Sequence, residues 1–140
     1  EPFGREAEAR IRRHRALRAG KGFCTLECPR NLADCPLPEG GAVLLEDLGN
    51  LAANELFSQE MLDVEGAFSR IWAGLAHVQS RAEHFAVVSC DLHRDGECYP
   101  PETMAYLDLM AKLHRALAAQ AGQVTEVVCG LPVHWKGGSV

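Results

Sequence analysis

Three short apolar runs separated by helical patterns constrain this chain more than anything else in it. Ala42-Val43-Leu44-Leu45 ends in Glu46-Asp47, Phe85-Ala86-Val87-Val88-Ser89-Cys90 ends in Asp91, and Val124 to Cys129 forms the third run. Each is too short for a helix and is bounded by turn residues, so the runs read as buried strands near 42–47, 84–90 and 124–129. The stretches between them repeat with helical period. Residues 62–81 carry Val64, Phe68, Ile71, Leu75 and Val78 on one face, and residues 101–121 carry Leu107, Met110, Leu113, Leu117 and Ala121. Pro101 and Glu102 suit the start of the second of these helices, and Gly122 ends it. A shorter helix is expected over 50–57 with Asn50 as its cap, and a fourth strand over 131–135. Strands alternating with helices predict an α/β fold, a mainly parallel sheet of at least three strands with flanking helices. In such sheets sites lie beyond the C-terminal strand ends, where Glu46, Asp47 and Asp91 fall.

Before the first of these strands, residues 5–18 read as a surface helix whose apolar contacts are Ile11 and Leu17 and which Gly20 stops. Residues 22–27 alternate as a short strand would, and a loop follows with Pro29, Pro36, Pro38, Gly40 and Gly41. The 140 residues, 47% of them apolar, make one domain, 1–140, with enough apolar side chain to build its own core. A net charge of −5 argues against a nucleic-acid partner, because neutralising phosphates needs a basic face. No apolar run approaches the ~18 residues of a membrane span, and the first residues do not read as a signal peptide. A cytoplasmic protein is therefore expected. The cysteines, at 24, 28, 35, 90, 98 and 129, are then expected to be free thiols, several on buried strands. Neither Cys24/Cys28/Cys35 nor Cys90/His93/Cys98 has the spacing of a structural zinc site.

Two features carry chemistry. Arg10-Ile-Arg-Arg-His14-Arg15-Ala-Leu-Arg18 packs five arginines and a histidine into one segment of an acidic protein. Arg10, His14 and Arg18 lie at i, i+4 and i+8 and share one helix face. Guanidiniums grip phosphate oxygens in a fork, and histidine can attack phosphorus to give a phosphoramidate. A basic helix face is also what a solvated surface looks like. The second feature is Glu46. An acid at the end of an apolar strand either holds Mg²⁺ beside a nucleotide or caps the next helix.

The order of several segments then carries a resemblance. Glu-Pro-Phe, Arg-Ile-x-x-His-Arg, Phe-x-Thr-x-Glu, Val-Leu-Leu-Glu, Asn-Leu-x-x-Asn-Glu-Leu-Phe, Leu-x-Arg-Ala-Leu-Ala and Val-x-x-Val-Val-x-Gly-Leu-Pro follow one another across residues 1–138. Together they resemble the bifunctional adenosylcobinamide kinase / adenosylcobinamide-phosphate guanylyltransferase family of cobalamin biosynthesis. The resemblance implies a P-loop NTPase fold of RecA-like type and substrates GTP or ATP, adenosylcobinamide and its phosphate. It implies that His14 takes GMP from GTP and passes it to adenosylcobinamide phosphate. Arg18 and Glu27 would contact the nucleotide, and Glu46 would be the Walker-B-like acid that holds Mg. A homo-oligomer, a trimer by the same resemblance, is expected, and independently a sheet left partly uncovered invites a partner.

The departures from the family bear on activity. No G-x-x-x-x-G-K-[ST] run occurs in these 140 residues, so the fold is expected without its P-loop strand, the chain starting just after the family's second strand. Ser89-Cys90-Asp91-Leu92-His93 stands where relatives read Thr-Asn-Glu-Val, and Asp47 stands where they commonly have Cys. Two readings follow: a working kinase/guanylyltransferase, or a catalytically silent remnant or assembly module of the family.

Overall fold

The computed structural model describes residues 2–92 and 98–137. Along the chain come helix α1 (Pro2–Arg18), a 3-10 turn (Leu32–Asp34), strand β1 (Ala42–Glu46), and helices α2 (Leu48–Leu56) and α3 (Val64–Arg81). Strand β2 (His84–Val88), helix α4 (Pro101–Gln120) and strands β3 (Val124–Val128) and β4 (Leu131–Lys136) complete it. The helix-strand alternation expected from the sequence is therefore present, with ends shifted by up to three residues, the largest shift at the start of α1. Segment 22–27 is the exception. It has no neighbouring strand to bond to and runs as irregular backbone.

The sheet is smaller than expected. β1 and β2 pair in parallel, from Ala42 opposite His84 to Glu46 opposite Val88. β3 does not join them. It pairs antiparallel with β4, from Val128 opposite Leu131 to Val124 opposite Lys136, as a separate two-stranded sheet. The expectation of three parallel strands is corrected accordingly: among the described residues the parallel sheet has two. Cys129-Gly130 supplies the tight turn, both with positive φ, 49° and 78°, which is what a two-residue hairpin requires.

Nor are the strands buried on both faces. Along β1 and β2 exposed and half-buried residues alternate. Val43, Leu45, Phe85 and Val87 turn onto the core, whereas Leu44 and Val88 face outward. A sheet with helices on one side only shows this alternation. The core itself is helical. Leu48, Leu51, Ala52 and Leu56 of α2 meet Ala67, Ile71, Leu75 and Val78 of α3 and Leu109, Met110 and Leu113 of α4. On α4 the buried set includes Leu109, which the sequence reading left out, while Leu107 is half-buried.

The 3-10 turn closes one end of this core. Leu32 lies so near α3 that a Cβ on Gly74 would stand 2.6 Å from the Leu32 Cβ and 3.2 Å from the Ala33 nitrogen. No side chain fits there without moving backbone, so Gly74→Ala should destabilise by about 1–3 kcal/mol, the usual cost of overpacking. The midpoint of urea unfolding reads this directly. At the other end Lys136 of β4 donates to the carbonyls of Ala118 and Ala119, 3.0 Å from each. A cation at the C-terminus of α4 satisfies two open acceptors and ties the hairpin to the helix.

The hairpin presents Val127, Val128, Leu131, Val133 and Trp135 to solvent. All six cysteines are free. Cys35 alone is buried and none lies within a strand, which corrects the expectation of strand-buried thiols. No helix among the described residues is long and apolar enough to cross a membrane.

Candidate functional site

The site is built where α1 meets the end of β1. Arg, Ala and Glu favour helix, and α1 forms as expected. It buries almost nothing: Ile11 and Leu17, expected as its apolar contacts, are 48% and 60% exposed. Charged side chains link it to the rest. His14 Nδ1 lies 3.9 Å from Glu46 Oε1, and Arg18 Nη1 lies 3.8 Å from Glu46 Oε2. Arg18 Nε also donates to the His14 carbonyl at 3.2 Å, which holds the guanidinium beside the imidazole one turn away. Arg15 pairs with Glu27. Three of the four residues singled out from the sequence therefore meet at one point, with Glu46 between His14 and Arg18. Glu27 joins the same helix through Arg15.

Glu46 and Asp47 divide the two roles a strand-end acid can take. The Asp47 carboxylate accepts from the Asn50 N–H at 2.7 Å and from the Asn50 amide at 3.3 Å. It is the N-cap of α2, so Asn50 is the residue capped and not the cap. This bonding answers the charge that the sequence places at the rim. With capping assigned to Asp47, the Glu46 carboxylate stays 40% exposed, and among the described residues it meets His14 and Arg18 in long ion pairs.

Mg²⁺ demands few protein ligands when a substrate phosphate supplies the others; one or two carboxylates serve. Glu46 fits that role, having coordination capacity left on both oxygens. Among the described residues no group of three or more His, Cys, Asp or Glu could cage a metal by itself. An ion held by Glu46 would need its remaining ligands from a bound molecule or from water. Of the Cys90/His93/Cys98 set, His93 lies outside the described residues.

A second cluster stands beside this rim. Ser89, just past β2, has its hydroxyl 2.7 Å from His114 Nε2 on α4. Tyr106, on the same helix, donates to the Gly49 carbonyl at 3.2 Å, and its ring stacks on Phe57 with centroids 6.4 Å apart. The Tyr106 hydroxyl is pushed above its ordinary value of 10.0, first by burial and then by the negative charges of Asp47 and Cys90. Neutral phenol is thus favoured. Stability from it is whole below the ordinary value and falls as pH rises through the raised one. Ultraviolet titration should show Tyr106 ionising later than a free tyrosine, and Asp47→Asn should move it only partway back. Sequence reading missed this cluster. The available signal was Tyr106, Met110 and His114 at i, i+4 and i+8, which places two polar residues on a face that also buries Met110.

Elsewhere, the Cys28 thiol donates to the Arg30 carbonyl at 3.2 Å, and burial first and the neighbouring Cys35 next raise it above its ordinary value.

No curated protein matches the chain. The sequence profile of the family described as cobinamide kinase / cobinamide phosphate guanyltransferase matches residues 1–135, nearly the whole length. With that match across α1, both sheets and the helices between them, the chain belongs to the cobinamide kinase / cobinamide phosphate guanyltransferase family.

Proposed function

We propose that this chain is a cobalamin-biosynthesis enzyme that phosphorylates adenosylcobinamide and transfers GMP from GTP to adenosylcobinamide phosphate through a guanylylated His14. One observation carries the reading: His14 and Arg18 converge on Glu46 within 3.9 Å and 3.8 Å at the end of β1. An imidazole nitrogen of His14 attacks the α-phosphorus, the bond to pyrophosphate breaks, and a phosphoramidate forms. A phosphate oxygen of adenosylcobinamide phosphate then attacks the same phosphorus and returns the imidazole. Arg18 stabilises charge on the phosphate oxygens, with Arg15 and Glu27 at the edge of the nucleotide. Mg²⁺ held by Glu46 would supply further charge neutralisation.

The kinase half needs groups outside these residues. Its phosphoryl transfer uses a Walker lysine and backbone amides around the phosphates, and these 140 residues contain no G-x-x-x-x-G-K-[ST] run. A second reading, a catalytically silent remnant or assembly module of the family, draws on the apolar side chains that the hairpin leaves exposed. In both readings the molecule works in the cytoplasm as a homo-oligomer, trimeric by family likeness. The exposed apolar hairpin supports self-association, since such surface recruits partners.

The deciding experiment is incubation with GTP labelled at the α-phosphate, followed by denaturing electrophoresis. Acid-labile label on the chain is expected. No label from this chain or from one extended upstream of Glu1 would leave the assembly reading.

A further inference from the structure

α1 is attached in an unusual way. From Gly4 to Arg18 only Ala7 and Arg18 are even half-buried, so apolar burial does not fix the helix in place. What links it to the described chain is charge: Glu46 against His14 and Arg18, and Glu27 against Arg15. These pairs are exposed, with Glu27 69% and Arg15 58% open to solvent. Exposed pairs hold weakly and are screened by salt. At 17 residues, rich in Arg, Ala and Glu, α1 is long enough to stay largely helical whichever anion it meets.

Arg18 and His14 lie on the face offered to phosphate, with Arg15 at its edge. A carboxylate and a phosphate present similar oxygens to a guanidinium, so the two compete for Arg15 and Arg18. We infer that the site is self-masked: Glu46 and Glu27 occupy the cationic face of α1 in the free protein, and a polyphosphate chain binds there only by displacing them. This rests on reading His14 and Arg18 as the nucleotide-facing pair. It adds that the two acids oppose metal-free binding.

The test uses inorganic tripolyphosphate and calorimetry in a chelating buffer, with the full chain. Removing both competing charges in an E27Q/E46Q double variant should tighten binding by roughly 5- to 10-fold, since each exposed pair is worth a few-fold. Equal or weaker binding by that variant overturns the masking. An R15Q/R18Q variant should lose the binding, and retention of wild-type affinity also overturns it, because the ligand would then sit elsewhere. Arg15, Glu27 and Glu46 are exposed and Arg18 is half-buried, and circular dichroism checks that each variant folds. The outcome is separable from guanylyl transfer. Tighter binding by E27Q/E46Q without label from GTP keeps the masking and removes the covalent histidine; label with unchanged binding does the reverse.

Discussion

A His14→Ala chain should take no covalent GMP from labelled GTP, a fall on the order of 100-fold or more relative to whatever label the unaltered chain accepts. The loss is large because the nucleophile itself is gone and the neighbouring groups only assist it. Arg18→Ala should fall less, by about 10-fold, since one charge contact to a phosphate is lost and the attacking nitrogen remains. Folding should hardly change in either variant. Residue 14 is exposed, and surface substitutions usually stay within about 0.5 kcal/mol. Electrophoresis reads the label, and thermal unfolding confirms that the variants are intact. Label surviving in His14→Ala would place the acceptor on another side chain and end the histidine mechanism.

Glu55→Ala should be the most destabilising polar substitution in the chain. Glu55 is 2% exposed, the one buried charged residue among those described. Its carboxylate accepts from the Asn31 N–H at 2.7 Å and from Arg70 Nε at 3.0 Å, while Arg70 Nη2 reaches the Glu55 carbonyl at 3.1 Å. Asn31 sits in the left-handed region, φ 54°, at the entry to the 3-10 turn. One carboxylate thus fixes both α3 and the turn that seats Leu32 against Gly74. Breaking a buried pair by removing one partner costs about 3–5 kcal/mol. Arg70 is 34% exposed and can rehydrate, which puts the loss near the lower end, about 3 kcal/mol. Glu55→Gln keeps an acceptor for Asn31 and should recover part of it. Urea unfolding of both variants measures the difference, and a loss below 1 kcal/mol for Glu55→Ala would show the network to be dispensable.

How far the sequence could be read depends on the range of the interaction involved. The helices were legible because their apolar residues recur at fixed intervals, and α3 buries Ile71, Leu75 and Val78 as that spacing requires. The parallel neighbours β1 and β2 were legible as apolar runs. Which strands share a sheet was not. β3 reads like β2 in sequence, yet its bonds go to β4, and hairpin pairing is decided by a turn at Cys129-Gly130 that periodicity does not weigh. At the site, His14, Arg18 and Glu46 were found because their chemistry is explicit in the residue types. Nothing in the sequence marks Glu55, because its partners lie 24 and 15 residues away and only folding brings them close. Asn50 reads as the cap that Asp47 in fact supplies, since both residue types cap well and only geometry chooses between them.

The two sheets also differ in when they can form. Strands β3 and β4 meet across two residues, so their pairing needs little loop closure and belongs to the microsecond range of hairpins. Ala42 and His84 must find each other across 42 positions (84 − 42), with α2 and α3 between them. The loop entropy of that encounter is offset only once those helices have packed. The rim that brings Glu46 to His14 is therefore among the last parts of the molecule to take shape. When the complete chain refolds from denaturant, the hairpin is expected to pair before the site does.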